Sequence, residues 1–212
     1  MKKNKIQLLA KVLLFGGFWG LLEATLGYVL HFLPMLISGT LMFPLVVFVL
    51  YRAYKSTGSR KALLFVGLVA ILIKSSNLLL PFLPAAKTIN PMIAMFLQSL
   101  IVFAVIPLLE SKKPLQLTSG ILIASFGWRI GVIAYYGVNY LITGFLSFYL
   151  QSLTSVFTFI VTDGLVSALL AIFIFVAIRD IKIMKKLDSM RINPLISAAI
   201  FAIAIILTLV KF

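Results

Sequence analysis

Residues 153–178 read LTSVFTFIVTDGLVSALLAIFIFVAI, a run in which Asp163 alone carries a charge. A helix needs roughly 20 apolar residues to cross a bilayer's hydrocarbon core, and this run exceeds that. A basic cluster follows at once: Arg179, Lys182, Lys185, Lys186 and Arg191. An apolar span ending on cations is what a membrane helix shows where it meets anionic headgroups.

Outward from this segment the same alternation recurs. Apolar runs cover residues 8–30, 33–51, 62–82, 91–109 and 115–140 before it, and 194–210 after it. The expected fold is an all-α integral membrane bundle of seven transmembrane helices, a six-helix core plus one C-terminal span, forming a single domain over residues 1–212. Residues 141–151, also apolar, are expected as a short interfacial or re-entrant piece. The composition agrees, with 62% hydrophobic and only 11% charged residues; an average soluble chain carries about 25% charged. Loops this short leave no room for a soluble domain. Prolines fall mostly at span ends, except Pro44, which is expected to kink the second span. Asn90-Pro91 reads as the cap that opens the fourth.

The net charge of +14 would point to nucleic acid in a soluble protein. Its distribution points to a membrane surface instead. Of the 19 Lys and Arg residues, all but Lys74, Lys87, Arg129 and Lys211 lie on one side of a seven-span topology. The positive-inside rule puts that side, and the amino terminus, in the cytoplasm. Met1-Lys2-Lys3-Asn4-Lys5 before an apolar run imitates a signal peptide, but no small-x-small cleavage site follows and Glu23 interrupts the region, so a retained first helix is expected. With no cysteine and one histidine, disulfides, thiolate chemistry and the usual metal sites are excluded. No P-loop, HExxH, DxxD repeat or GxSxG elbow is present.

Four ionisable residues stand inside spans: Glu23, Lys74, Arg129 and Asp163. An intramembrane charge costs at least ~2.5 kcal/mol on insertion scales, so each marks a protein-facing position. Counted at ~1.5 Å per residue from Lys11, Lys61, Lys113 and Arg179, all four lie roughly 18–24 Å from the basic surface. Gln98 falls in the same band. Helical spacing adds neighbours: Gly27 and His31 beside Glu23, Asn77 beside Lys74, and Ser125, Tyr136 and Tyr140 in line with Arg129. Ser167 stands one turn from Asp163.

Two readings follow. Two acids and two bases can pair to hold the bundle together, or they can line a cavity past the midplane. Buried pairs stabilise weakly after desolvation, and amide and aromatic neighbours favour the cavity. The expected substrate-binding residues are Glu23, Lys74, Asn77, Gln98, Arg129, Tyr136, Tyr140 and Asp163, with His31, Trp128 and Asn139 as secondary candidates. His31 and the tyrosines also suit an interfacial belt. Gly16, Gly20 and Ala24 form a small-xxx-small series that permits close helix approach.

In size, topology and site depth, spans one to six resemble the substrate-binding, or S, component of energy-coupling factor (ECF-type ABC) transporters. The series Gly16, Gly20, Ala24 is similar to the alanine-x-x-x-alanine pattern with which such proteins meet their coupling subunit. The seventh span departs from their six-helix plan. The resemblance implies a non-enzymatic subunit of a prokaryotic cytoplasmic membrane, binding a vitamin-like solute without a cofactor or metal. It implies a coupling subunit and an ATPase pair as partners, with Gly16, Gly20 and Ala24 as partner contacts. Matched opposite charges favour a polar or zwitterionic solute. The rival expectations are an integral membrane enzyme or assembly factor acting on a lipid-soluble substrate, and a self-sufficient carrier using Glu23 or Asp163 as a proton site.

Overall fold

A computed structural model describes residues 2–30, 35–179 and 181–210. Among the described residues every regular element is helical, joined by short loops. Helix α1 (Lys2–Leu22) runs into a π-helical turn (Glu23–Gly27) and a short stretch, Tyr28–Leu30. Then come α2 (Met35–Thr57) and α3 (Arg60–Ser75), the latter extended by a 3₁₀ turn, Ser76–Leu79. Helix α4 is Ala86–Glu110 and α5 is Pro114–Thr143. Helix α6 (Leu153–Ile178) contains a second π turn, Thr158–Thr162. A short α7 (Lys182–Ser189) leads to α8 (Pro194–Leu209).

The stretches Asn4–Gly27, Arg60–Leu79, Ala86–Glu110, Pro114–Thr143 and Leu153–Ile178 are long and apolar enough to cross a membrane. Helix conformation suits them because lipid offers backbone groups no partner. Large apolar side chains face outward, with Leu115, Leu141, Leu153 and Leu195 more than three-quarters exposed. Helix α8 has 16 residues, about 24 Å of rise, less than the ~30 Å of a typical hydrocarbon core. The seventh expected span is therefore short.

The fourth helix differs from expectation at its start. It begins at Ala86, so Asn90 lies inside it and caps nothing. The Asn90 amide oxygen instead accepts from the Tyr135 hydroxyl at 3.1 Å, tying α4 to α5.

Glycines set the helix spacing. A Cβ at Gly16 would lie 2.6 Å from Val69 Cβ, and one at Gly20 would lie 2.5 Å from Ile73 Cδ1. The small-residue series of α1 is thus covered by α3 within the bundle, and Ala24 is buried as well. Gly17, on another face, admits Ile200 of α8 at 3.0 Å. Helix α4 packs between α3 and α5, α5 against α6, and α2 against α6. Trp19, Phe43, Val46, Leu50 and Leu63 have no exposed surface and belong to the central cluster.

The basic end is closed by cations on carbonyls. Arg179 donates to Ser111 O (2.9 Å) and Glu110 O (3.3 Å) at the end of α4. Arg52 donates to Arg179 O (3.4 Å) and pairs with Asp188 at 2.8 Å. Lys11 Nζ donates to Ser56 O near the end of α2. Helix C-termini leave carbonyls unpaired and carry partial negative charge, so cations stabilise them.

Candidate functional site

Helix α5 turns Ser125, Trp128, Arg129, Val132 and Tyr136 inward. Arg129 has no exposed surface. Its Nη1 donates to Ser125 O (2.9 Å) and Ser125 Oγ (3.0 Å), and its Nη2 to the backbone carbonyl of Asp163 (3.2 Å). Ser125 Oγ in turn donates to Gly164 O at 2.8 Å. The Asp163 and Gly164 carbonyls follow the π turn of α6, where the Asp163 amide reaches back to Thr158 O. A π turn inserted in an α-helix re-aims the residues around it and recurs at functional sites. Gly164 makes the approach possible, since a Cβ there would lie 2.6 Å from Phe126 Cε1.

Aromatic rings enclose the guanidinium. Its carbon lies 4.5 Å from the Trp128 ring centre, 5.7 Å from that of Phe159 and 6.0 Å from that of Phe43. Faces of such rings carry negative potential and offset part of the cost of a buried cation. Tyr149 closes the far side, 4.5 Å from Phe159 and stacked on Tyr136 at 5.6 Å. It arrives from the short 3₁₀ turn Phe148–Leu150, which follows the Gly144 end of α5. Gly144 has φ of 70°, a left-handed conformation that favours glycine. The apolar piece expected at residues 141–151 thus delivers one ring to the interior, while Leu141, Ile142 and Phe145 stay exposed.

Not every polar atom here is used. Arg129 Nε, Trp128 Nε1 and Asp163 Oδ2 are buried without a hydrogen-bond partner. Among the described residues, Arg129 and Asp163 form no side-chain ion pair. The acid is held near the base through its backbone, and its carboxylate stands off.

Of the residues expected from sequence, the structure brings Trp128, Arg129, Tyr136 and Asp163 together. Lys74, Asn77 and Gln98 are also buried, at 6%, 9% and 5% exposure. They sit on α3, its 3₁₀ extension and α4, and among the described residues no hydrogen bond, ion pair or ring contact joins them to the Arg129 group. Glu23 is half-buried as the first residue of the α1 π turn, its carboxylate lying over Gly27. Asn139 is half-buried, and Tyr140, at 44% exposure, stands at the surface near the end of α5. His31 lies outside the described residues. Sequence reasoning passed over Phe43, Tyr149 and Phe159. Phe159 stands one turn before Asp163 and Tyr149 lies in the short apolar segment, the only signals that single them out from 18 Phe and 7 Tyr.

No family model, curated protein or solved structure matches the chain.

Proposed function

We propose that the chain is the membrane-embedded binding subunit of a solute uptake system. On this reading seven helices cross a prokaryotic cytoplasmic membrane, the basic end faces the cytoplasm, and the solute is held in the outer half between Arg129 and Asp163. The observation that carries it is a fully buried guanidinium with one edge left open. Arginine has five N–H donors. Ser125 and the Asp163 carbonyl take three, leaving Nε–H and one Nη2–H, which share an edge of the fork. That edge suits the two oxygens of a carboxylate. The unbonded Asp163 Oδ2 offers an acceptor to an amine or hydroxyl of the same molecule. Trp128, Phe43, Phe159 and Tyr149 supply apolar walls for its body, so a small zwitterionic or mixed-charge solute fits the chemistry.

The sequence holds no P-loop motif, and on this reading transport draws on a separate ATPase pair through a coupling subunit. Native mass spectrometry of the purified protein tests the binding reading directly: a small molecule should be retained by the wild type and lost from Arg129→Ala. Accumulation of that molecule by liposomes containing this chain alone would overturn the dependence on an ATPase and favour a self-sufficient carrier.

A further inference from the structure

Residues 145–151 join α5 to α6 across the end of the bundle opposite the basic rim. Their hydrogen bonds stay local: Phe145 N donates to Thr143 Oγ1 (3.2 Å), Leu150 N to Ser147 O (2.9 Å) and Gln151 N to Phe148 O (3.3 Å). Among the described residues, none of their hydrogen bonds reaches another helix. Phe145, Leu146 and Phe148 stay exposed, and of the segment's apolar residues only Tyr149 and Leu150 pack on the central cluster. A segment with few buried contacts and no outside hydrogen bonds opens at low cost.

Tyr149 sits where it blocks the way to Arg129. Its ring is stacked on Tyr136 at 5.6 Å and tilted against Phe159 at 4.5 Å. Tyr136 stands two turns beyond Arg129 on α5, about 10 Å further from the basic rim. Phe159 stands one turn before Asp163 on α6, about 6 Å in the same direction. One ring therefore bridges both walls of the cleft on its far side. The ends of the segment are suited to turn. Gly144 holds φ of 70°, and a Cβ there would meet nothing. Ser152 is extended (φ −151°, ψ 155°) and caps α6 by accepting from Ser155 N at 3.0 Å. Hinges are commonly such element ends.

We propose that residues 145–151 are a hinged strap, latched by the Tyr149 ring, and that a solute passes beneath it to Arg129 from the aqueous face opposite the basic rim. Arg129 has no exposed surface, so a molecule that reaches its unbonded Nε must displace part of the bundle. Parting the helices is the costlier way. Helix α5 is tied to α6 by Ser125 Oγ on Gly164 O and by Arg129 on Asp163 O, and α6 to α2 by Ser167 Oγ on Thr40 O at 3.0 Å. Each of those buried bonds would be lost without replacement. Lifting the strap breaks none. Its purpose rests on the solute reading at Arg129, while its movement is measurable without any solute.

The chain has no cysteine, so a single introduced thiol reports the route. Val132 is buried on the inward face of α5, one turn from both Trp128 and Tyr136. Val132→Cys in phosphatidylcholine nanodiscs is treated with the membrane-impermeant reagent 2-sulfonatoethyl methanethiosulfonate, and mass spectrometry reads the rate of modification. Adding Tyr149→Ala should raise that rate about tenfold, the weight of one aromatic contact. Tyr149→Phe should leave it unchanged, because the ring and not the hydroxyl is the latch. A control thiol at the basic half, Val47→Cys, buried on α2, should stay slow when Tyr149→Ala is added. Equal rates at Val132→Cys with and without Tyr149→Ala overturn the strap, and so does a parallel rise at Val47→Cys, which marks general loosening. If Tyr149→Ala does not fold, Gly144→Ala carries the same comparison, since it strains the backbone without touching a neighbour. A strap that opens on a chain retaining no solute would sink the binding reading and keep the strap; a solute retained with equal labelling rates would do the reverse.

Discussion

The bundle buries arginines at two places and treats them differently. At the basic end, Arg52 pairs with Asp188 and donates to Arg179 O, while Arg179 spans the last carbonyls around Glu110 and Ser111. In the far half, Arg129 also donates to carbonyls, but the nearest acid withholds its carboxylate and Nε stays unbonded among rings. The basic end is a set of caps that finish helices. The ring-lined site keeps hydrogen-bonding capacity in reserve, at a place where desolvation makes each unmade bond expensive. On the proposed reading, an arginine spent on structure and one kept for a solute are told apart by what remains unbonded on the fork.

The sharpest way to break this contrast is Arg129→Met, which keeps the volume and removes the charge. Affinity for the retained solute should fall about hundredfold, with the bundle still folded in detergent. Isothermal titration reads the affinity, and an unchanged value would make Arg129 a structural residue like the others. Next in size, Arg179→Ala should lower stability by about 1.5–3 kcal/mol, because charged hydrogen bonds to buried-end carbonyls are lost. Solute affinity should stay the same; a parallel loss of affinity would show the two regions coupled. Tyr149→Ala should weaken binding by about two- to tenfold, the range of one aromatic contact, and a larger loss would promote the outer segment from wall to principal ligand.

The smallest expected effect concerns pH. Burial pushes the Asp188 carboxyl above its ordinary value, and this outweighs the opposing pull of Arg52. The folded chain then binds that proton more tightly than the unfolded chain. Its contribution to stability is present below the unfolded carboxylate range and is lost as pH rises through the raised value. Asp188→Asn should flatten this part of the pH–stability curve. A curve that keeps its slope would assign the titration elsewhere.

Much of the fold was legible because lipid imposes a simple code. Residues 153–178 are too apolar for water, and the cations after them mark where the hydrocarbon ends. Helix ends were less legible: Asn90-Pro91 has the chemistry of a cap, yet the helix starts a turn earlier and the Asn90 side chain accepts from Tyr135 instead. The site was legible in its charges and not in its walls. Arg129 and Asp163 stand out in an apolar run, whereas Phe43 and Phe159 look like any lipid-facing phenylalanine. Gly16 and Gly20 show that a small-residue stripe announces a close neighbour without saying which; here it is α3.

Sequence alone therefore determined the helical state, the segments apolar enough to cross a membrane, and which residues would be too costly to face lipid, because those follow from composition and from distances along one helix. Which polar residues meet was decided by tertiary structure. The same depth on four helices permits one cluster or two, and the choice depends on how glycines let each pair approach and rotate. Gly164 brings α6 against α5 and sets Asp163 beside Arg129, while Lys74, buried on α3, makes no hydrogen bond or ion pair with that group among the described residues.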